Sequence, residues 1–290
     1  MTRLGLIQMQ VGADSRENLR AAEQGIRAAA ADGADIVCLP ELFRTPYFCQ
    51  IEEHTFFDLA ESVPGPTTTS LGTLAAELGV VVVASVFERR AAGVYHNTSV
   101  VLDSDGSLAG SYRKMHLPDD PRYYEKFYFA PGDLGFSSIR TKSAAIAPLV
   151  CWDQWFPEAA RLAALDGAEI IAYPTAIGWH PGERERFGAV QADAWKTIQR
   201  GHAIANGVFV VAVNRVGAET EDPEGIVFWG SSFVCDPFGA VLGALPSDSP
   251  GVLVVEIDLA QIEETRRHWP FLRDRRVDAY GGIVARFGNR

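Results

Sequence analysis

Two hydrophobic periods alternate along the chain. Leu4 to Gln10 has the apolar density and length of a strand, and Ser15 to Asp32 then spaces Leu19, Ala22, Ile26 and Ala29 by three or four, as a helix with one buried face requires. Asp35 to Glu41 reads as a short buried strand ending at an acid. Thr68 to Leu78 is helical, Gly79 closes it, and the β-branched run Val80 to Val86 is extended. Two strands follow with no helix between them, Asn97 to Asp103 and Gly106 to Arg113, joined at the hairpin signal Ser104-Asp-Gly106.

The second half repeats the scheme. Ala144 to Val150 is a strand, Pro157 to Asp166 a helix, Glu169 to Pro174 a strand, Phe187 to Asn206 a long helix and Val208 to Asn214 a strand. Ser231 to Asp236 and Ala240 to Ala244 flank Pro237-Phe-Gly239 as a second hairpin, and Gly251 to Ile257 is the last strand. Two like halves of this kind predict an α/β fold with two similar sheets, each covered by helices, in four layers. No linker rich in Gly, Ser or Pro divides the chain, so residues 1–290 are expected to form a single domain. From Arg266 onward the sequence is basic and aromatic without a helical period. Residues 266–290 are therefore expected to be a tail, either disordered or packed on a neighbouring subunit.

Composition narrows the classes of function. With 47% hydrophobic and 22% charged residues, the 290-residue chain can bury a large core. A net charge of -11 with no long basic block argues against a nucleic-acid or anionic-membrane surface and suits a cationic substrate. No run of 18 apolar residues is present, so no membrane span is expected. The four cysteines (Cys38, Cys49, Cys151, Cys235) are scattered, without the close pairs of a zinc or redox site. With no charged leader before an apolar stretch, the expectation is a reduced, cytoplasmic protein.

Cys151 is the most informative residue. It ends the apolar run Ser143 to Val150 and opens the polar-aromatic stretch Cys151-Trp-Asp-Gln-Trp-Phe-Pro-Glu158. A thiol where a buried strand stops and a helix is about to start has a fixed position and free backbone N–H groups beside it. Two other strands also end in reactive groups, at Glu41 and at Lys114. Each alone has an ordinary explanation: an acid in a first helical turn, a solvated lysine, an inert buried thiol. Together they place a carboxylate, an ammonium and a thiol at strand ends, where α/β proteins assemble sites. The carboxylate can act as base for the thiol, and the ammonium can face the oxyanion formed when the thiolate adds to a carbonyl.

The segments Leu39-Pro-Glu41-Leu-Phe, Tyr112-Arg-Lys114-Met-His-Leu-Pro and Cys151-Trp-Asp-Gln-Trp-Phe-Pro-Glu158-Ala-Ala-Arg161 resemble the signatures of the nitrilase, or carbon–nitrogen hydrolase, superfamily. Within it the chain most resembles the N-carbamoylputrescine amidases, through Thr45-Pro-Tyr-Phe-Cys-Gln50, Glu125-Lys-Phe-Tyr-Phe129 with Pro131-Gly-Asp133, Tyr173-Pro-Thr-Ala-Ile-Gly178 and Asn214-Arg-Val-Gly217. The resemblance implies an αββα sandwich, with Glu41 as general base, Lys114 as oxyanion stabiliser and Cys151 as nucleophile. It implies a second glutamate at Glu125 that positions Lys114 or the substrate, and an oxyanion contact from the backbone N–H of Trp152. It further implies hydrolysis of a small N-carbamoyl amine or amide with no cofactor and no metal. A homo-oligomer built from dimers is implied too, assembled through the helix after the cysteine with the C-terminal tail across the contact.

The substrate is less settled by these residues. Relatives that cleave N-carbamoyl amino acids tend to carry arginines just after the nucleophile, where guanidinium fits carboxylate. Here Asp153-Gln-Trp155 stands instead, a poorer carboxylate clamp and a tolerable ammonium environment, or else structural support for the turn. Tyr47, close to Glu41, is expected to line the pocket. His180 stands where a glutamate is expected for gripping a distal ammonium, with Glu183 or Glu185 as replacements if the loop folds back. Asp120 and Arg122 stand where glycines are expected. An N-carbamoyl amino acid or ω-amide is the nearest rival substrate, to be recognised by Arg122 or Arg215 pointing at Cys151. A true nitrilase, an amide transferase and a non-catalytic assembly subunit of the same fold are the remaining alternatives. His116, His202 and Trp195 are expected to be structural.

Overall fold

The computed structural model describes residues 1–219 and 224–288. The first half runs β1 (Thr2–Gln8), α1 (Ser15–Ala31), β2 (Ile36–Cys38), α2 (Pro66–Leu78), β3 (Val81–Ala91), β4 (Val94–Leu102) and β5 (Leu108–Arg113). The second runs α3 (Glu125–Tyr128), β6 (Ile139–Arg140), β7 (Ala145–Pro148), α4 (Pro157–Leu165), β8 (Ile170–Thr175), β9 (Gly178–Trp179), α5 (Pro181–Asn206), β10 (Phe209–Asn214), β11 (Val216–Ala218), β12 (Val227–Trp229), β13 (Phe233–Cys235), β14 (Val241–Ala244), β15 (Gly251–Ile257) and α6 (Ala260–His268).

Each half folds into its own sheet in chain order. In one, β1, β2 and β3 are parallel and β4 and β5 continue antiparallel. In the other, β7, β8 and β10 are parallel and β13 and β14 continue antiparallel. Each gains one antiparallel edge strand: β15 beside β1, in register from Thr2 opposite Ile257 to Gln8 opposite Gly251, and β6 beside β7.

Strand alternation explains the layers. Leu4, Leu6, Ile36, Cys38, Val81 and Val83 of the first sheet meet Ile146, Ile170, Ala172, Phe209 and Val211 of the second in one core. The intervening positions face outward: Val37, Leu39, Val82 and Ala84 onto α1 and α2, and Ala147, Ile171, Tyr173 and Val210 onto α4 and α5. The result is the αββα sandwich. The α4 face is made of alanines (Ala159, Ala160, Ala163, Ala164), which lets that helix approach its sheet closely. Asp14 caps α1 by accepting the N–H groups of Arg16 and Glu17.

Several elements differ from the sequence reading. Strand β3 runs beyond Val86 into a hairpin with β4 because Glu88 is buried, accepting from Thr98 and from Arg113, so a charged residue continues the strand inside the protein. Helix α5 begins at Pro181 rather than Phe187, which brings the 183–187 segment to the site. A third sheet of β11, β12 and β9 was not predicted, its strands being only two or three residues long. Arg266, Arg267 and His268 of the expected tail close α6 instead. Of that tail, residues 289 and 290 lie outside the described residues.

Phe209 is wholly buried between the sheets. Truncation in Phe209→Ala should lower unfolding stability by about 3–5 kcal/mol, read by denaturant titration, because the flanking strands cannot collapse on the cavity.

Candidate active site

Three strand ends deliver the chemical groups. Glu41 lies three residues beyond β2, Lys114 directly follows β5, and Cys151 lies three residues beyond β7. The first two come from one sheet and the third from the other. The sheets are joined at this point, since Glu41 N–H donates to the Thr175 carbonyl at the end of β8 (3.3 Å). Glu41 and Glu125 are wholly buried and Lys114 is 1% exposed.

Lys114 is the centre of the arrangement. Its Nζ donates to Glu41 Oε1 at 2.7 Å and to Glu125 Oε2 and Oε1 at 2.7 and 2.8 Å, which accounts for the three protons of an ammonium. Burial works against that charge, but Glu125 and Glu41 outweigh it and hold the ammonium well above the ordinary lysine value. Burial raises the Glu125 carboxyl to about 7, with Lys114 opposing and Glu41 adding to the rise. Tyr47 donates its hydroxyl to Glu125 Oε1 at 2.6 Å, so it braces this carboxylate. Glu41 Oε1 also accepts from Asn97 Nδ2 at 2.7 Å, while Oε2 has no hydrogen-bond partner among the described residues.

Cys151 occupies a strained turn, with φ of 41° in the left-handed region that L residues seldom adopt. Asp153 holds that turn. Its Oδ2 accepts from Val150 N–H (3.0 Å) and Tyr112 hydroxyl (2.9 Å), and its Oδ1 accepts from His116 N–H (3.1 Å) and contacts His116 Nδ1 (2.7 Å). Both oxygens are thus committed to the turn, and Asp153 does not line the cavity in front of the thiol. Gln154 is likewise structural: its Oε1 takes Trp195 Nε1 and Thr175 Oγ1, and its carbonyl contacts His202 Nε2. Burial and then Glu41 push the Cys151 thiol well above its ordinary value, against the pull of Lys114. Burial and Glu41 thus favour the neutral thiol. A neutral thiol beside a buried carboxylate can lose its proton as sulfur attacks carbon, and the ammonium beside it can hold the resulting oxyanion.

A cavity of about 730 Å³ opens in front of Cys151. Trp152, Trp155, His180 and Trp229 line it, as do Tyr123, Phe187, Asp120 and Glu183. Its charged lining among the described residues is acidic, from Asp120 and Glu183 (His180 apart), with no lysine or arginine. The Tyr123 ring meets His180 edge-on at 5.8 Å, and its hydroxyl accepts Gly178 N–H at 3.1 Å. Position 178 must be glycine, because a Cβ there would lie 2.3 Å from the Val227 carbonyl on β12. Arg215 does not reach the cavity. It is buried, bonding the carbonyls of Glu41 (3.0 Å) and Leu42 (2.6 Å) and pairing with Glu219 (2.7 Å), whose other oxygen accepts Tyr47 N–H. Arg122 lines a smaller cavity of about 250 Å³ beside Tyr47 and reaches Glu224 at 3.3 Å.

Sequence reasoning missed Asn97, Tyr123 and Trp229. Asn97 had a signal: His96-Asn-Thr-Ser99 is a buried polar run leading directly into the apolar, buried Val100-Val-Leu102 of the same strand.

The chain matches the carbon–nitrogen hydrolase family over residues 3–267. It is 44% identical to the N-carbamoylputrescine amidase of Arabidopsis thaliana over 288 residues, covering 98% of this chain and 95% of that protein. It is 38% identical to the citrullinase of Francisella tularensis over 286 residues, covering 98% and 99%. The crystal structure of a carbon–nitrogen hydrolase from Helicobacter pylori G27 superposes with a TM-score of 0.95 at 45% identity, covering 99% of each chain. The fold, the strand-end groups and these likenesses agree: the chain is a member of the carbon–nitrogen hydrolase family.

Proposed function

We propose that this enzyme hydrolyses a small N-carbamoyl amine, N-carbamoylputrescine above all, to putrescine, carbon dioxide and ammonia. The observation that carries the choice of substrate is the sign of the cavity: carboxylates at Asp120 and Glu183, aromatic faces from Trp152, Trp155 and Trp229, and no basic side chain among the described lining residues. Such a lining attracts a terminal ammonium and repels a carboxylate. Glu183 supplies the charge that His180 lacks, because the early start of α5 turns its first residues toward the cavity. The likeness to the Arabidopsis enzyme points the same way. The likeness to a citrullinase supports the rival, a ureido amino acid, but Arg215 is spent on the loop carbonyls and Glu219 and leaves no carboxylate clamp there.

In the proposed reaction Cys151 Sγ adds to the ureido carbonyl while its proton passes to Glu41. The oxyanion is held by the Trp152 N–H and by Lys114 Nζ, which turns to it one of the two protons it gives Glu125, and Glu41 returns the proton to the leaving nitrogen. Water, deprotonated by Glu41, then adds to the S-carbamoyl intermediate; the proton returns to the departing sulfur, and the carbamic acid released breaks down to carbon dioxide and ammonia. Glu125, braced by Tyr47, keeps Lys114 charged and in place. A cytoplasmic setting is supported by the four cysteines, all free and buried. Among the described residues no helix is long and apolar enough to cross a membrane. Assembly from dimers through α4 and the tail is supported by exposed Leu162 and Leu165 on α4 and by Trp269, Phe271 and Ile283 on the tail.

Ammonia release should be measured with N-carbamoylputrescine, citrulline and N-carbamoyl-β-alanine side by side. The amine should be turned over at least about tenfold more efficiently, and Glu183→Gln should raise its KM about 2–5-fold at constant kcat, as one exposed charge allows. Preference for either acid would reject the substrate. Cys151→Ala should fold normally and lose all turnover; residual activity above about a thousandth of wild type would remove the nucleophile from the mechanism.

A pH profile tests Glu125. As pH falls through about 7 the Glu125 carboxylate takes up a proton and loosens its hold on Lys114, so kcat/KM should fall on an acid limb near that value. Glu125→Gln cannot titrate, so the limb near that value should disappear even as kcat drops; an unmoved limb would assign it elsewhere. Sedimentation of Leu162→Asp should give smaller species than wild type if α4 forms the contact, and an unchanged size would exclude it.

A further inference from the structure

The two oxygens of Glu41 are treated differently. Oε1 accepts from both Lys114 Nζ and Asn97 Nδ2, each at 2.7 Å, whereas Oε2 is equally closed to solvent and accepts from no described residue. A carboxylate held by an ammonium alone can rock and offer either oxygen. A second, directional donor on the same oxygen removes that freedom.

Asn97 is built for the task. It lies on β4 opposite Phe87, and its carbonyl accepts the Lys114 N–H at 2.9 Å, so the amide donor and the ammonium are carried by adjoining strands. Its orientation is determined by Ser85 on β3. Ser85 Oγ accepts the Leu42 N–H at 3.2 Å, which turns its own hydrogen toward Asn97 Oδ1 at 2.8 Å. The Asn97 amide therefore gives its oxygen to Ser85 and its N–H to Glu41. Asn97 is 1% exposed and Ser85 wholly buried, so water does not compete for either group. An unpaired buried carboxylate oxygen is costly and is retained where it has work to do.

We propose that Asn97, oriented by Ser85, is a positioning residue that reserves Glu41 Oε1 for the ammonium and keeps Oε2 as the single proton acceptor for Cys151. This rests on the reading of Glu41 as general base. The titratable groups facing Glu41 are Lys114, Glu125, Cys151, Cys49, Tyr47 and Tyr123, with Arg215 on its backbone carbonyl. None of them donates to Oε2 in the structure. The proton that leaves Sγ passes to Oε2 and from there to the departing nitrogen, with no change in oxidation state.

The test compares Asn97→Leu, Ser85→Ala and Glu41→Gln with wild type on N-carbamoylputrescine. Asn97→Leu should lower kcat about 100-fold with KM changed less than about twofold, the size expected when a general base is mispositioned rather than removed. Ser85→Ala leaves Asn97 in place but free to turn over, so kcat should fall about tenfold with the same KM. Wild-type kcat in folded Ser85→Ala, or losses confined to KM in either variant, overturns the inference. Should Asn97→Leu fail to fold, Ser85→Ala decides alone. Wild-type activity in Glu41→Gln instead rejects the general-base reading itself, independently of Asn97.

Discussion

One buried ammonium organises this molecule. Lys114 has no access to solvent, so its charge persists only because two carboxylates spend their oxygens on it, and each of those carboxylates is tolerated in turn because the ammonium is there. The dependence extends outward. Glu125 is braced by Tyr47, whose backbone is tied to Glu219, whose partner Arg215 holds the carbonyls on either side of the Glu41–Leu42 bond. The loops that follow β2, β5 and β10 thus close on one another around Lys114, with Arg215 behind them, in a region where unpaired charge would be costly.

Much of this was legible in the sequence because the fold and the chemistry use the same marks. A buried strand that ends abruptly in an acid, a lysine or a cysteine breaks the hydrophobic pattern at a definite place, so Glu41, Lys114 and Cys151 stood out together. The two halves were recognisable because strand and helix periods differ. What escaped were features whose signal lies in three dimensions. Asp153 and Gln154 follow the nucleophile as substrate contacts would, yet they face back into the turn and α5, and nothing in their order along the chain distinguishes the two directions. Asn97 is polar in a strand, and its value depends on Ser85 from the neighbouring strand. The small third sheet is built from strands too short to show a period.

The strained backbone at Cys151 and the alanine face of α4 belong to one design. A turn at φ of 41° tends to relax unless its neighbours are immovable. Here the turn is pinned by Asp153 to Tyr112 and His116 near the end of β5, and by Gln154 to Trp195 and His202 on α5, while α4 closes tightly behind it on small side chains. Cys151 is held by three separate elements.

Glu41 and Lys114 arrive on one sheet and Cys151 on the other, and only the docking of the two apolar faces brings them together. Neither half of the chain carries a working centre by itself. During synthesis the first half leaves the ribosome carrying Glu41 and Lys114 but not Cys151, and the three groups meet only once the second half has packed against it. In the proposed mechanism catalytic competence is therefore a report on completed folding: a chain that has failed to join its sheets is inert as well as unfolded.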